Sequence, residues 1–181
     1  MSAPEIRPTL EADLPTITAI YQQAVREGTA TFELDPPDIT EMTRRYRALV
    51  DGGYPYFVAT IDGRVAGYAY AGAYRPRPAY RFTVENSIYL KPAIHRRGIG
   101  LRLLHRLIEE CERRGYRQMI AVIGDSANAG SIGVHTACGF QMIGTHPTVG
   151  LKFGRWLDTV MMQRALGAGA TTVPTDENGA Q

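Results

Sequence analysis

Along the first fifty residues the apolar positions recur with the period of a helix. Ile17, Ile20, Tyr21, Ala24 and Val25 share one face behind Asp13, which can cap a helix start, and Pro15 is tolerated in the first turn. After the loop "GTATFELDPPD", Ile39, Met42, Tyr46, Leu49 and Val50 mark a second helix that stops at Asp51-Gly52-Gly53. The period then shortens. "YFVATIDGRVAGYAYAG" reads as two strands around Asp62-Gly63, a dipeptide that tolerates the positive φ of a tight hairpin. "YRPRPAYRF" is too rich in Arg and Pro for a strand and is expected to be a loop, and "TVENSIYL" is a strand again. Leu101, Leu104, Leu107, Ile108 and Cys111 form one face of a helix ended by Gly115, and "YRQMIAVI" has the continuous apolar character of a buried strand. A short helix within "GDSANAGSIGVHTACGF" closes at Gly139, "QMIGT" begins another strand, and "LKFGRWLDTVMMQRAL" reads as the final strand.

This order predicts a single α/β (α+β) domain over residues 1–166, built on one mixed, mostly antiparallel sheet flanked by helices. The Gly, Ala, Thr and Pro of residues 167–181 offer little to bury, so a disordered tail is expected there.

Composition narrows the possibilities. The chain has 181 residues, 44% hydrophobic and 21% charged, with 20 Lys and Arg against 18 Asp and Glu. A net charge of +2 makes no case for a nucleic-acid partner, which would call for a concentrated basic face. No window is apolar for the ~18 residues of a membrane span, and "MSAPEIRPTLEADLP" lacks the basic start and apolar core of a signal peptide. A cytoplasmic protein is the expectation, with Cys111 and Cys138 as buried thiols. The four His have no metal-ligand spacing, and no metal is expected.

Chemistry enters at "HRRGIG". Arginines and glycines at the mouth of a helix suit an anion, because the first turn presents unpaired N–H groups and partial positive charge. The stretch is neither a P-loop nor a dinucleotide fingerprint, since no Lys-Ser/Thr follows the glycines and the third Gly is missing. Further on, Asn128, Ser131, His135, Gly139 and Phe140 recur at a set offset after the buried strand.

Together, "HRRGIG" and "NAGSIGVHTACGF" resemble the pyrophosphate loop and later helix of the GCN5-related N-acetyltransferases (GNAT). "TVENSIY", "YRQMIAVIGDSANAGSI" and "KFGRWLDTVMMQ" look closest to the phosphinothricin and methionine sulfoximine acetyltransferase subgroup. The first loop position departs from the family's Gln or Arg, being His95.

The resemblance implies a splayed sheet holding acetyl-CoA as cosubstrate. Pantetheine would lie along Ile88, Tyr89 and Leu90, and pyrophosphate on Arg96, Arg97, Gly98, Ile99, Gly100 and Leu101, with Asn128 and Ser131 beside the cofactor. Glu85 is the candidate general base, in a strand of apolar neighbours that would raise its pKa. His135 is the candidate acid, second base or structural residue. Arg75, Pro76, Arg77, Arg81, Asn86, Ser87, Phe32 and Lys152 would line the substrate pocket, with arginines suited to a carboxylate or phosphinate. The implied reaction is acetylation of the α-amine of a small amino acid analogue, by a homodimer whose interface is the apolar C-terminal strand, with Lys152 expected at the pocket across the dimer contact. The alternatives are another small amine, a protein N-terminus, or acetyl-CoA binding without turnover.

Overall fold

The computed structural model describes residues 3–174. Strands β1 (Glu5–Pro8), β2 (Tyr56–Ile61), β3 (Arg64–Ala73), β4 (Thr83–Leu90), β5 (Gln118–Gly124), β6 (Gln141–Lys152) and β7 (Arg155–Ala165) form one sheet in the order β1-β2-β3-β4-β5-β7-β6. Only the β4–β5 pairing is parallel. The mixed sheet expected from sequence is therefore present.

Helices α1 (Leu14–Glu27) and α2 (Ile39–Asp51) cover one face. Ile17, Val25, Met42 and Tyr46 pack there on Tyr56, Val58 and Tyr68. Helix α3 (Ile99–Arg113) covers the other face, with Leu103, Leu104 and Leu107 against Ala69, Val84, Met119 and Met162. The short α4 (Ala129–Ala137) lies beside α3.

Several local readings are corrected. Asp13 sits at the start of α1 but makes no side-chain cap, because Arg7 on β1 takes its carboxylate at 2.7 and 2.8 Å and the Leu10 N–H donates to it. The second helix is capped instead by Asp38, whose side chain accepts from Glu41 N–H. "LKF" does not open the final strand. Leu151 and Lys152 finish β6, and a turn at Phe153 and Gly154, both at positive φ, leads into β7. β1 escaped the sequence reading altogether. "YRPRPAYRF" is a loop carrying a short 3-10 turn at Pro78–Tyr80, as expected. Residues 167–172 form turns, with the Arg117 guanidinium donating to the Gly169 carbonyl and the Thr172 hydroxyl. The rest of the segment expected to be disordered, from 175 on, lies outside the described residues.

Candidate active site

The sheet forks at its parallel pair. β4 and β5 are in register only from Thr83↔Gln118 to Asn86↔Ala121. Beyond that point β4 remains on β3 as far as Leu90, and β5 remains on β7 as far as Gly124. The edges of Ile88, Tyr89 and Leu90 that face the gap thus have no strand opposite, and an extended chain carrying amides fits them. The cleft lies between Asn86–Tyr89, Ala121–Gly124 and Ala30, and Asn128, Ser131 and His135 complete its lining.

A backbone cradle stands at the start of α3. Arg96 (φ 63°) and Gly98 (φ 73°) both have left-handed conformations, and a Cβ at Gly98 would meet nothing within 4 Å, so conformation alone favours glycine there. The bond from Arg102 N–H to the Gly98 carbonyl opens the helix, which leaves the N–H groups of Ile99, Gly100 and Leu101 at its end without helical acceptors. Arg96 and Arg97 are exposed beside them, an arrangement suited to a phosphate.

Strand alternation then divides the side chains of β4. Val84, Ile88 and Leu90 pack with α3, which places Asn86 on that face too, whereas Tyr89 packs with the α1/α2 cluster and so aligns Glu85 and Ser87 with it. Glu85 is half-buried. Burial pushes its carboxyl above the ordinary value, and the nearby Arg75 guanidinium offsets part of that. Opposite it on β3 is Gly72, where a Cβ would come within 3.0 Å of Leu49. Arg75, Pro76, Arg77 and Arg81 are all exposed in the loop before β4. Arg75 lies 5.1 Å from the Tyr74 ring and Arg81 4.6 Å from that of Phe82.

On the α3 face, Asn86 and His135 are buried together. His135 Nε2 is 2.9 Å from Asn86 Oδ1, its Nδ1 is 2.8 Å from the Ser131 carbonyl, and Asn86 Nδ2 donates to the Ile120 carbonyl at 3.1 Å. Glu85 and His135 therefore approach the fork from opposite sides of the sheet. Asn128 is a helix cap, accepting from Ser131 N–H, and it also lines the cleft.

The loop after α1 crosses the end of β5 and is pinned from several sides. The Phe32 ring occupies a notch between Gly124 and Gly150, where added Cβ atoms would fall 3.0 Å and 2.3 Å from it. Lys152 is buried in its own chain, donating to the Thr31 carbonyl at 2.8 Å, and burial pushes its ammonium below the ordinary range. In that position it holds the loop. Tyr21 donates to Glu33, which Arg45 pairs at 2.6 Å. The two glycines, Ala30 and Val122 were missed in the sequence, because isolated glycines in strands carry no signal of what packs on them.

With this geometry, the description "Acetyltransferase (GNAT) family" matches residues 17–140. The chain belongs to the GNAT acetyltransferase family. A phosphinothricin N-acetyltransferase from Alcaligenes faecalis is 54% identical over 93% of this chain and 86% of its own. An L-methionine sulfoximine/L-methionine sulfone acetyltransferase from Pseudomonas paraeruginosa is 44% identical over 90% of this chain and 94% of its own. Among solved structures, a GNAT phosphinothricin acetyltransferase from Sinorhizobium meliloti in complex with AcCoA has a TM-score of 0.94 and 48% identity, covering 97% of this chain and 95% of that one. No helix among the described residues is long and apolar enough to cross a membrane, and no group of three or more His, Cys, Asp or Glu among them is placed to hold a metal.

Proposed function

We propose that this acetyl-CoA-dependent N-acetyltransferase acts on the α-amine of a small amino acid analogue, with L-phosphinothricin, L-methionine sulfoximine and methionine sulfone as acceptors and Glu85 as general base. The observation that carries the reading is the half-buried, proton-retentive carboxyl of Glu85 at the fork, on the face opposite the α3 cradle. Acetyl-CoA fits the fork, with pantetheine along Ile88–Leu90 and pyrophosphate on the N–H groups from Arg96 to Leu101. The acceptor enters from the α1/α2 side, beneath the Arg75 and Arg77 loop and beside Ser87 and Phe32, where guanidinium groups suit its carboxylate or phosphinate.

The amine passes a proton to Glu85, and its lone pair forms the new N–C bond to the thioester carbonyl. An N–H of Tyr89 or Leu90 supports the oxyanion. The C–S bond then breaks with its electron pair on sulfur, and the thiolate takes its proton from solvent. Neither cysteine is needed, since both are buried and burial pushes both thiols up. Such an enzyme would work in the cytoplasm and would confer tolerance to phosphinothricin.

The exposed Met142, Ile143, Val149, Leu151, Phe153 and Trp156 of β6, β7 and their turn support a homodimer built on that hairpin. The test is release of CoA thiol from acetyl-CoA with each acceptor in turn, alongside ordinary amino acids and a polyamine. Turnover on the three analogues, lost in Glu85→Gln, is the expected result. Turnover only on other amines would discard the acceptor assignment, and no turnover despite acetyl-CoA binding would discard catalysis.

A further inference from the structure

The fork is closed by a chain of three hydrogen bonds with a carbonyl at each end: Ser131 O to His135 Nδ1, His135 Nε2 to Asn86 Oδ1, and Asn86 Nδ2 to Ile120 O. A carbonyl only accepts, so the Asn86 amide must turn its NH₂ towards Ile120 and its oxygen towards the ring. At the other end Nδ1 must carry a proton to meet the Ser131 carbonyl. The Ser131 hydroxyl also reaches Nδ1, at 3.4 Å, but the carbonyl at 2.8 Å is much the closer partner and decides the proton there. Both ring nitrogens thus face acceptors, and a neutral imidazole has one N–H too few. Flipping the amide only moves the mismatch to Ile120, where two oxygens would meet.

We infer that His135 is held as an imidazolium and is a positioning residue, whose two N–H groups tie α4 to the last residue of β4 that pairs with β5 and so set the mouth of the fork. Asn86 is that residue, and its side chain bridges to β5 where the ladder ends. The placement is independently favourable to a cation, because His135 lies in the last turn of α4, at the negative end of the helix dipole. Burial pushes the ring's pKa below its ordinary value and the Ser131 carbonyl offsets only part of that; the second acceptor, Asn86 Oδ1 at 2.9 Å, is what restores the charge. Glu85 leaves β4 on the other face, Cys138 at the end of α4 is a buried thiol, and β5 faces the cleft with Ala121 and Ile123. With both nitrogens engaged, the ring holds the fork and does not shuttle a proton. Its effect on the cofactor rests on the acetyl-CoA reading, but its protonation does not.

The test is ¹⁵N NMR of the histidine rings in the full chain without acetyl-CoA, titrated across neutral pH, for the native protein and Asn86→Ala, with far-UV circular dichroism confirming that each is folded. The His135 ring should carry both protons up to a midpoint above the ordinary value of about 6.5. In Asn86→Ala the midpoint should fall by about one to two units, the shift expected from one hydrogen bond to a charged group. A native ring already neutral at about pH 6, with an unprotonated Nε2, would overturn the inference, as would a midpoint that Asn86→Ala leaves in place. Should Asn86→Ala not fold, Asn86→Ser, with its shorter side chain, serves the same comparison.

Discussion

The two faces of β4 are packed in contrasting ways. On the α3 side the packing is aliphatic and closed, with Leu103, Leu104 and Leu107 wholly buried; beside β4 the polar Asn86 and His135 are hydrogen-bonded, and the buried group left without a partner, Arg164 Nε, lies away from the fork. On the α1/α2 side it is aromatic and less completely satisfied. Tyr68 stacks with Tyr56, Tyr70 and Tyr89, its hydroxyl is buried without a partner, and Glu85 is half-buried. The difference teaches that close packing is concentrated on the α3 side, while the α1/α2 side tolerates groups held away from their best solvation. Activated groups tend to be found where such a cost has been accepted.

Stability measurements can break or sharpen this contrast. The largest change should come from Leu103→Ala, which leaves a cavity in the closed face and should cost about 2–5 kcal/mol in denaturant unfolding. Gly150→Ala should come next, at about 1–3 kcal/mol, because its Cβ would be driven into the Phe32 ring. Tyr68→Phe should have the opposite sign, raising stability by about 1 kcal/mol through removal of an unpaired hydroxyl. A loss there would mean that the hydroxyl has a partner after all. The smallest effect belongs to Glu85→Gln. A carboxyl whose pKa is raised on folding loses stability as pH climbs through the ordinary range towards the raised value. The variant should therefore melt higher than the native protein at neutral pH, and the gain should vanish below about pH 4. The same shift predicts that kcat/KM rises with pH through an inflection above the ordinary carboxylate value of about 4.3.

Much of this was legible in the chain because it is local. Helical periodicity located the three long helices, Asp62-Gly63 marked the hairpin, and the Gly-containing basic stretch marked the cradle. Strand alternation through "TVENSIYL" already separates Glu85 from Asn86. What escaped is non-local. β1 is a four-residue edge strand ending in Pro, visible only once β2 pairs with it, and Arg7 from that strand diverts Asp13 from its cap. The Asn86–His135 bond spans 49 residues and the bond from Lys152 to Thr31 spans 121, so their partners cannot be read from spacing. The turn at Phe153-Gly154 was hidden because its flanking residues are as strand-like as those of a continuous strand.

The division of labour across β4 is tested most directly by measuring Glu85→Gln twice, for acetyl transfer to L-phosphinothricin and for acetyl-CoA binding by calorimetry. Turnover should fall by about 10²–10⁴-fold, as for removal of a general base, while the acetyl-CoA Kd stays within about twofold of the native value. Loss of acetyl-CoA binding in parallel with turnover, or turnover that survives the substitution, would contradict it.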